Sequence, residues 1–108
     1  MAKITTETLD YVAGRFKLLG EPMRLKLLYL LQDGEKCVQD LVEITGAGQA
    51  NVSKHLSLMA SNGIIGRRKE GLHVYYFIED ESIFNLCDIV CGSLEDNARN
   101  LHKTFTKN

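Results

Sequence analysis

The chain changes its period between residues 63 and 79. Before Gly63, apolar residues recur every three or four positions, the spacing of amphipathic helices. Then "IIGRRKEGLHVYYFI" (64–78) turns to β-branched and aromatic residues, broken at Glu70-Gly71. That reads as a β-hairpin of roughly 64–69 and 72–78. From Asp80 the helical period returns. Ile83, Cys87, Val90, Leu94, Ala98, Leu101 and Phe105 step by three or four, which predicts one long last helix over about 81–105.

Upstream, Thr5 or Thr6 is placed to cap a first helix, with Glu7 in its favourable first turn. Leu9, Val12, Ala13, Phe16 and Leu19 give that helix an apolar stripe over 5–19. Pro22 suits the first turn of a second helix, where its missing N–H would be unpaired anyway. "MRLKLLYLL" is apolar almost all round, so this helix is expected to be central and buried, with Gly34 as its left-handed cap. A short third helix fits 38–44, with Val38, Leu41, Val42 and Ile44 inward. "TGAG" is a tight turn, and a fourth helix runs from Gln49 to about Ser61 on an inner stripe of Val52, Leu56, Met59 and Ala60. A short helix and a longer one joined by a glycine-containing turn (38–61) form a helix-turn-helix, and the hairpin after it (64–78) makes a wing. The expected fold is mainly α with a small β-hairpin, a winged helix-turn-helix in the order α-α-α-α-β-β-α. The apolar stripes of the first and last helices lie outside that core. A second copy of the chain would cover them, giving a homodimer through those two helices.

With 108 residues, 44% of them hydrophobic, one domain over 1–108 with a modest core is expected, and dimerisation would supplement it. No apolar run approaches the ~20 residues of a membrane span. "MAKITTETLD" lacks the apolar core of a secretory signal, so a cytoplasmic location and no membrane partner are expected. Three cysteines at no scaffold-like spacing point to reduced thiols rather than a disulfide framework.

Net charge is −1, but its distribution is uneven. Residues 48–78 carry four Lys and Arg against one Glu, a net of +3, whereas 79–97 carry six carboxylates and no cation, a net of −6. In a helix-turn-helix the second helix enters the major groove and its first residues meet base edges. Here that end carries Gln49, Asn51, Ser53 and Lys54. Gln and Asn can bond adenine N6 and N7 together, and Ser can bond several bases. Lys54 and His55 are expected on phosphates, which hold register without reading sequence. Arg67, Arg68 and Lys69 in the wing would stand beside the neighbouring groove. Each of these elements alone also reads as a solvated surface. Their conjunction favours DNA.

"LGEPMRLKLLYLL", "EKCVQDLVEITG", "GQANVSKHLSLMASNGII" and "RRKEGLHVYYFI" resemble, in order, segments of the ArsR/SmtB family of bacterial winged-helix repressors. The resemblance covers about residues 16–80. It implies a homodimeric repressor that sits on an inverted-repeat operator in double-stranded DNA and leaves when an effector binds.

Many members of that family sense metals, and the resemblance implies two places to look. A Cys-x-Cys at the start of the third helix corresponds to Cys37 and Gln39, and a neutral amide is a poor ligand for a thiophilic ion. An Asp-x-His and a His pair on the last helix fall on Asp80, Ser82, Ser93 and Asp96, so an imidazole-rich zinc site is not expected. His55 reads as DNA-side, His73 as part of the wing, and His102 stands alone. Cys87 and Cys91, four apart, share a helix face. They are either small hydrophobes in a packed stripe or, with Cys37, a thiol site for a thiophilic metal or metalloid, an oxidant or reactive sulfur. No cofactor is otherwise implied.

A winged-helix protein-interaction module that never binds DNA is the competing class. It would more often expose aromatics where this chain has "GQANVSK". No nucleophile–base arrangement, phosphate loop or paired carboxylates argue for an enzyme.

Overall fold

The computed structural model describes residues 4–106, with side chains described for 4–100. Its elements are α1 (Thr6–Leu19), α2 (Pro22–Leu31), β1 (Lys36–Cys37), α3 (Val38–Thr45), α4 (Gln49–Ser61), β2 (Ile65–Glu70), β3 (His73–Ile78) and α5 (Ser82–Thr106). The stripe positions Leu101 and Phe105, and His102, have side chains outside the described ones.

Local chemistry sets the helix ends. The Thr5 hydroxyl accepts the Thr8 N–H at 3.1 Å and starts α1. The Glu21 carboxylate accepts the Arg24 N–H at 2.9 Å, and Pro22 follows it in the first turn of α2. Gly46 closes α3 in the left-handed region (φ 71°), its N–H 2.8 Å from the Val42 carbonyl. This is the turn between α3 and α4, and a residue with a Cβ would be strained there.

The core lies where these helices meet the base of the sheet. Leu18 and Leu19 of α1, Leu27, Leu28 and Leu31 of α2, Leu41 of α3, and Val52, Leu56 and Met59 of α4 are buried with Ile64, Ile65, Tyr76 and Ile83. Each such side chain contributes about 1.5–3 kcal/mol of transfer free energy, before entropy is counted. The Ile64 carbonyl accepts the N–H groups of both Glu79 and Asp80 at 3.1 Å and closes the base of the wing.

Four expectations need correction. The sheet has three strands, not two, in the order β1-β3-β2, with Cys37 opposite Tyr75 on one side and Arg68 opposite Tyr75 on the other. A two-residue strand carries no readable alternation, so β1 was hidden. Gly34 does not cap α2. Gln32 does, in right-handed conformation, and Gly34 follows two residues later with its N–H on the Leu31 carbonyl. Ile44 points outward and is exposed. So are Leu25 and Tyr29 of α2, because only the Leu27, Leu28 and Leu31 side of that helix meets the core.

The terminal helices leave apolar surface uncovered. Leu9, Val12 and Phe16 of α1 and Ile89, Val90 and Leu94 of α5 are exposed. The radius of gyration is 17.3 Å, against about 13 Å for a compact chain of this length. The excess comes from α5, whose 25 residues run about 37 Å.

Candidate nucleic-acid interface

Helix α4 divides cleanly into two faces. Val52, Leu56 and Met59 have no accessible surface, so the helix is pinned along one side. Gln49, Asn51 and Lys54 are exposed and Ser53 is half-exposed. Gly48 starts the helix without a capping side chain, so no side chain competes for the first N–H groups. That end carries the positive pole of the helix dipole, which favours a phosphate. The structure therefore brings together four of the five residues expected to face DNA from this helix.

His55 is placed differently. Its side chain is only 12% exposed, and its ring lies against the start of α2, where Arg24 Nε donates to Nδ1 at 3.1 Å. The residue is one position past the outward face, and packing against α2 decides its orientation.

The wing separates its cations. Arg67 stands opposite the buried Tyr76, on the side that faces α4, and lines a shallow hollow with Ser57 and Ser61. Lys69 is two residues on and shares that side. Arg67 and Lys69 carry no ion pair among the described residues. Arg68 points the other way. Its Nε donates to Glu35 Oε2 at 2.9 Å, its Nη2 to the other Glu35 oxygen, and its Nη1 to Glu70 at 2.8 Å. The guanidinium also sits 4.8 Å from the centre of the Tyr75 ring. The hydrogen bonds from Arg68 hold the Glu35 carboxyl below its ordinary value, and the two carboxylates push the Arg68 guanidinium upward. Sequence reading could not find this clamp, since Glu35 and Arg68 lie 33 residues apart.

At the wing tip Gly71 takes a positive φ (62°) ahead of Leu72, the pattern of a tight II′-type turn. Leu72 is 99% exposed, an apolar tip beside the basic strand β2 that sequence reading passed over.

The thiols divide as well. Cys87 and Cys91 line one apolar hollow of about 370 Å³ with Phe16, Leu25, Val90 and Leu94, between α1, the start of α2 and α5. Cys91 Sγ lies 3.9 Å from a Glu95 carboxylate oxygen. Cys37 stands at the junction of β1 and α3 and lines none of that hollow. All three are free thiols. Among the described residues no group of three or more potential ligands surrounds one point. Of the positions the resemblance implied for an imidazole-rich site, Asp80, ahead of α5, accepts from the Ser82 N–H and hydroxyl and pairs with Arg15 at 3.4 Å. Asp96 pairs with Arg99. The hydrogen bonds from Ser82, then the nearby Arg15, hold the Asp80 carboxyl below its ordinary value. Both carboxylates have structural partners within the chain.

Comparison with known proteins agrees with the winged helix-turn-helix fold. A family model described as bacterial regulatory protein, arsR family, matches residues 21–66. The chain is similar to the cadmium resistance transcriptional regulatory protein CadC of Listeria innocua, 38% identical over 79 residues, 72% of this chain and 66% of that protein. The match thus spans slightly less than two thirds of that relative's length. It is also similar to the arsenical resistance operon repressor of Bacillus subtilis, 33% identical over 87 residues, covering 80% of this chain and 83% of that one. Among solved structures, a homodimeric winged helix-turn-helix DNA-binding domain from Mycobacterium bovis, a possible ArsR-family transcriptional regulator, superposes with a TM-score of 0.73 at 31% identity, covering 89% of this chain and 92% of that one. Among the described residues no helix is long and apolar enough to cross a membrane.

Proposed function

Because this chain belongs to the arsR family of bacterial regulatory proteins, we propose that it is a homodimeric repressor that holds an inverted-repeat operator and releases it on binding a thiophilic metal or metalloid. The split surface of α4 carries the reading: its buried stripe fixes the helix while Gln49, Asn51, Ser53 and Lys54 face outward at its start. Gln49 and Asn51 read base edges, Ser53 adds a hydroxyl, and Lys54 holds a phosphate. Arg67 and Lys69 follow the backbone beside the wing. Two copies join through the uncovered stripes of α1 and α5, which presents two reading helices to successive turns of one face of the duplex. The protein works in the cytoplasm, where its operator is.

The effector class rests on the relatives' names, cadmium and arsenical regulators, and on the thiols. Soft thiolates suit such ions. One protomer supplies only Cys87 and Cys91 to the hollow, with Cys37 apart, so one chain does not complete a ligand set. The α5 helices of two copies together offer four thiols. An ion held there releases DNA by binding the low-affinity arrangement of the two protomers better than the DNA-competent one.

A mobility assay with duplex from the protein's own upstream region, with and without cadmium ion, tests both halves. Wild type is expected to bind and to be released. Cys87→Ser with Cys91→Ser is expected to bind and to stay. Release of the double variant by the same cadmium concentration would remove the thiols from the mechanism. No shift of the duplex at low salt would remove the DNA reading.

A further inference from the structure

Contact with DNA does not explain the polar residues that join α2 to α4. Arg24 leaves the first turn of α2, and its Nε donates to Nδ1 of His55 at 3.1 Å. Its Nη1 donates to the Leu18 carbonyl near the end of α1 at 3.0 Å. Glu21 accepts the Arg24 N–H with the same oxygen that stands 3.9 Å from His55 Nε2. One guanidinium thus ties the end of α1, the start of α2 and the middle of α4, half-buried beside a core of leucines.

The direction of donation fixes the state of the imidazole. An arginine Nε–H can only donate, so Nδ1 must present a lone pair and the ring's single proton must sit on Nε2, toward Glu21. A second proton, on Nδ1, would set N–H against N–H and a cation beside the guanidinium. The ring would give up Arg24 and keep Glu21 alone. Among the described residues the charged groups that face the ring are Arg24 and Glu21, both from the start of α2. α1 contributes only the neutral Leu18 carbonyl, through Arg24.

We propose that Arg24, His55 and Glu21 form a proton-sensitive tie that sets the orientation of α4, so that acid weakens DNA binding. The proposal rests on the reading of α4 as the DNA-facing helix. Its sign separates it from a phosphate contact by the same residue. A histidine on a phosphate gains attraction when protonated, whereas this one loses the bond that positions its helix. Arg24 and His55 are positioning residues on this view, and neither needs to touch the duplex.

The test compares wild type with His55→Asn, whose amide oxygen can accept from Arg24 in place of Nδ1 and does not titrate. Binding to a labelled duplex from the upstream region is followed by anisotropy at constant ionic strength, from about pH 8 to about pH 5.5. Wild type is expected to lose about fivefold in affinity relative to His55→Asn, the ratio that one hydrogen bond of ordinary net strength supports. The variant's own curve removes the contribution of His73 in the wing. Equal pH dependence in the two proteins, or tighter wild-type binding in acid, would overturn the tie. Absence of binding at every pH would instead overturn the reading of α4 as a DNA-facing helix. A measurement on free wild-type protein needs neither DNA nor a folded variant. Imidazole ¹⁵N shifts at pH 8 are expected to show His55 protonated on Nε2 only, with α4 amide signals moving when a proton is added to Nδ1. A proton on Nδ1 at pH 8 would end the proposal.

Discussion

Arg68 of β2 reaches past β3 to grip Glu35, in the turn ahead of β1, with Nε 2.9 Å from one carboxylate oxygen and Nη2 on the other. The most conspicuous basic run of the chain therefore has its middle charge already neutralised, while Arg67 and Lys69, on the side facing α4, carry no ion pair among the described residues. Each phosphate neutralised by a cation lowers the slope of log affinity against log salt by about one unit. Arg67→Ala and Lys69→Ala are each expected to make that slope shallower by about one. Arg68→Ala is expected to weaken binding with a smaller change of slope. A full unit lost in Arg68→Ala and none in Arg67→Ala would assign the contact the other way round.

The same clamp gives the protein an acid-sensitive joint. Glu35 is held below its ordinary pKa of 4.5, chiefly by its hydrogen bonds from Arg68. A depressed carboxyl binds fewer protons folded than unfolded. Its contribution to stability is therefore complete above 4.5 and is lost as pH falls through the depressed value. The difference in melting temperature between wild type and Glu35→Gln should be greatest near neutrality and shrink below pH ~4, as thermal denaturation across pH would show. A constant difference down to pH ~2 would place the effect elsewhere.

Gly46 ends α3 with φ of 71° and has open space around it, so an added methyl meets no neighbour but must adopt an unfavourable backbone. Gly46→Ala is expected to cost about 1–2 kcal/mol in denaturant unfolding. An unchanged midpoint would mean that the turn between α3 and α4 tolerates another conformation.

Much of this arrangement was legible from periodicity. The helices, both glycines of the α3–α4 turn and the wing stand where spacing and turn chemistry put them, because each is a local rule. Val52, Leu56 and Met59 were readable as the inner stripe of α4 for the same reason. The two-residue β1 was not readable, since it exists only by pairing with β3. The partners of Arg68 and His55 were hidden for a related reason. Glu35 and Arg24 lie 33 and 31 residues away, and nothing local marks them. Spacing also counted Ile44 as inward by its apolarity alone, although only the Leu41 side of α3 reaches the core.

Val90 lies exposed in the middle of the uncovered stripe of α5, on the rim of the hollow between α1, α2 and α5. Val90→Glu should therefore leave the fold of one chain intact, with unchanged helical circular dichroism. It would place a charge where two copies meet, at the cost of burying an unpaired carboxylate. Sedimentation velocity is expected to show a dimer for wild type and a monomer for the variant. A variant that sediments with wild type would move the interface off α5.

Asn51 tests the central claim most directly. It is exposed on α4 beside the fully buried Val52, so its loss should spare the fold and remove only what it touches. Affinity for the upstream duplex is measured for wild type and Asn51→Ala between about 50 and about 200 mM salt, together with a duplex of scrambled sequence. The expected result is steep salt dependence in both proteins, with the variant ~1–3 kcal/mol weaker on the upstream duplex and unchanged on the scrambled one. Equal affinity of the two proteins for both duplexes, or binding indifferent to salt, would contradict the assignment of this helix to DNA.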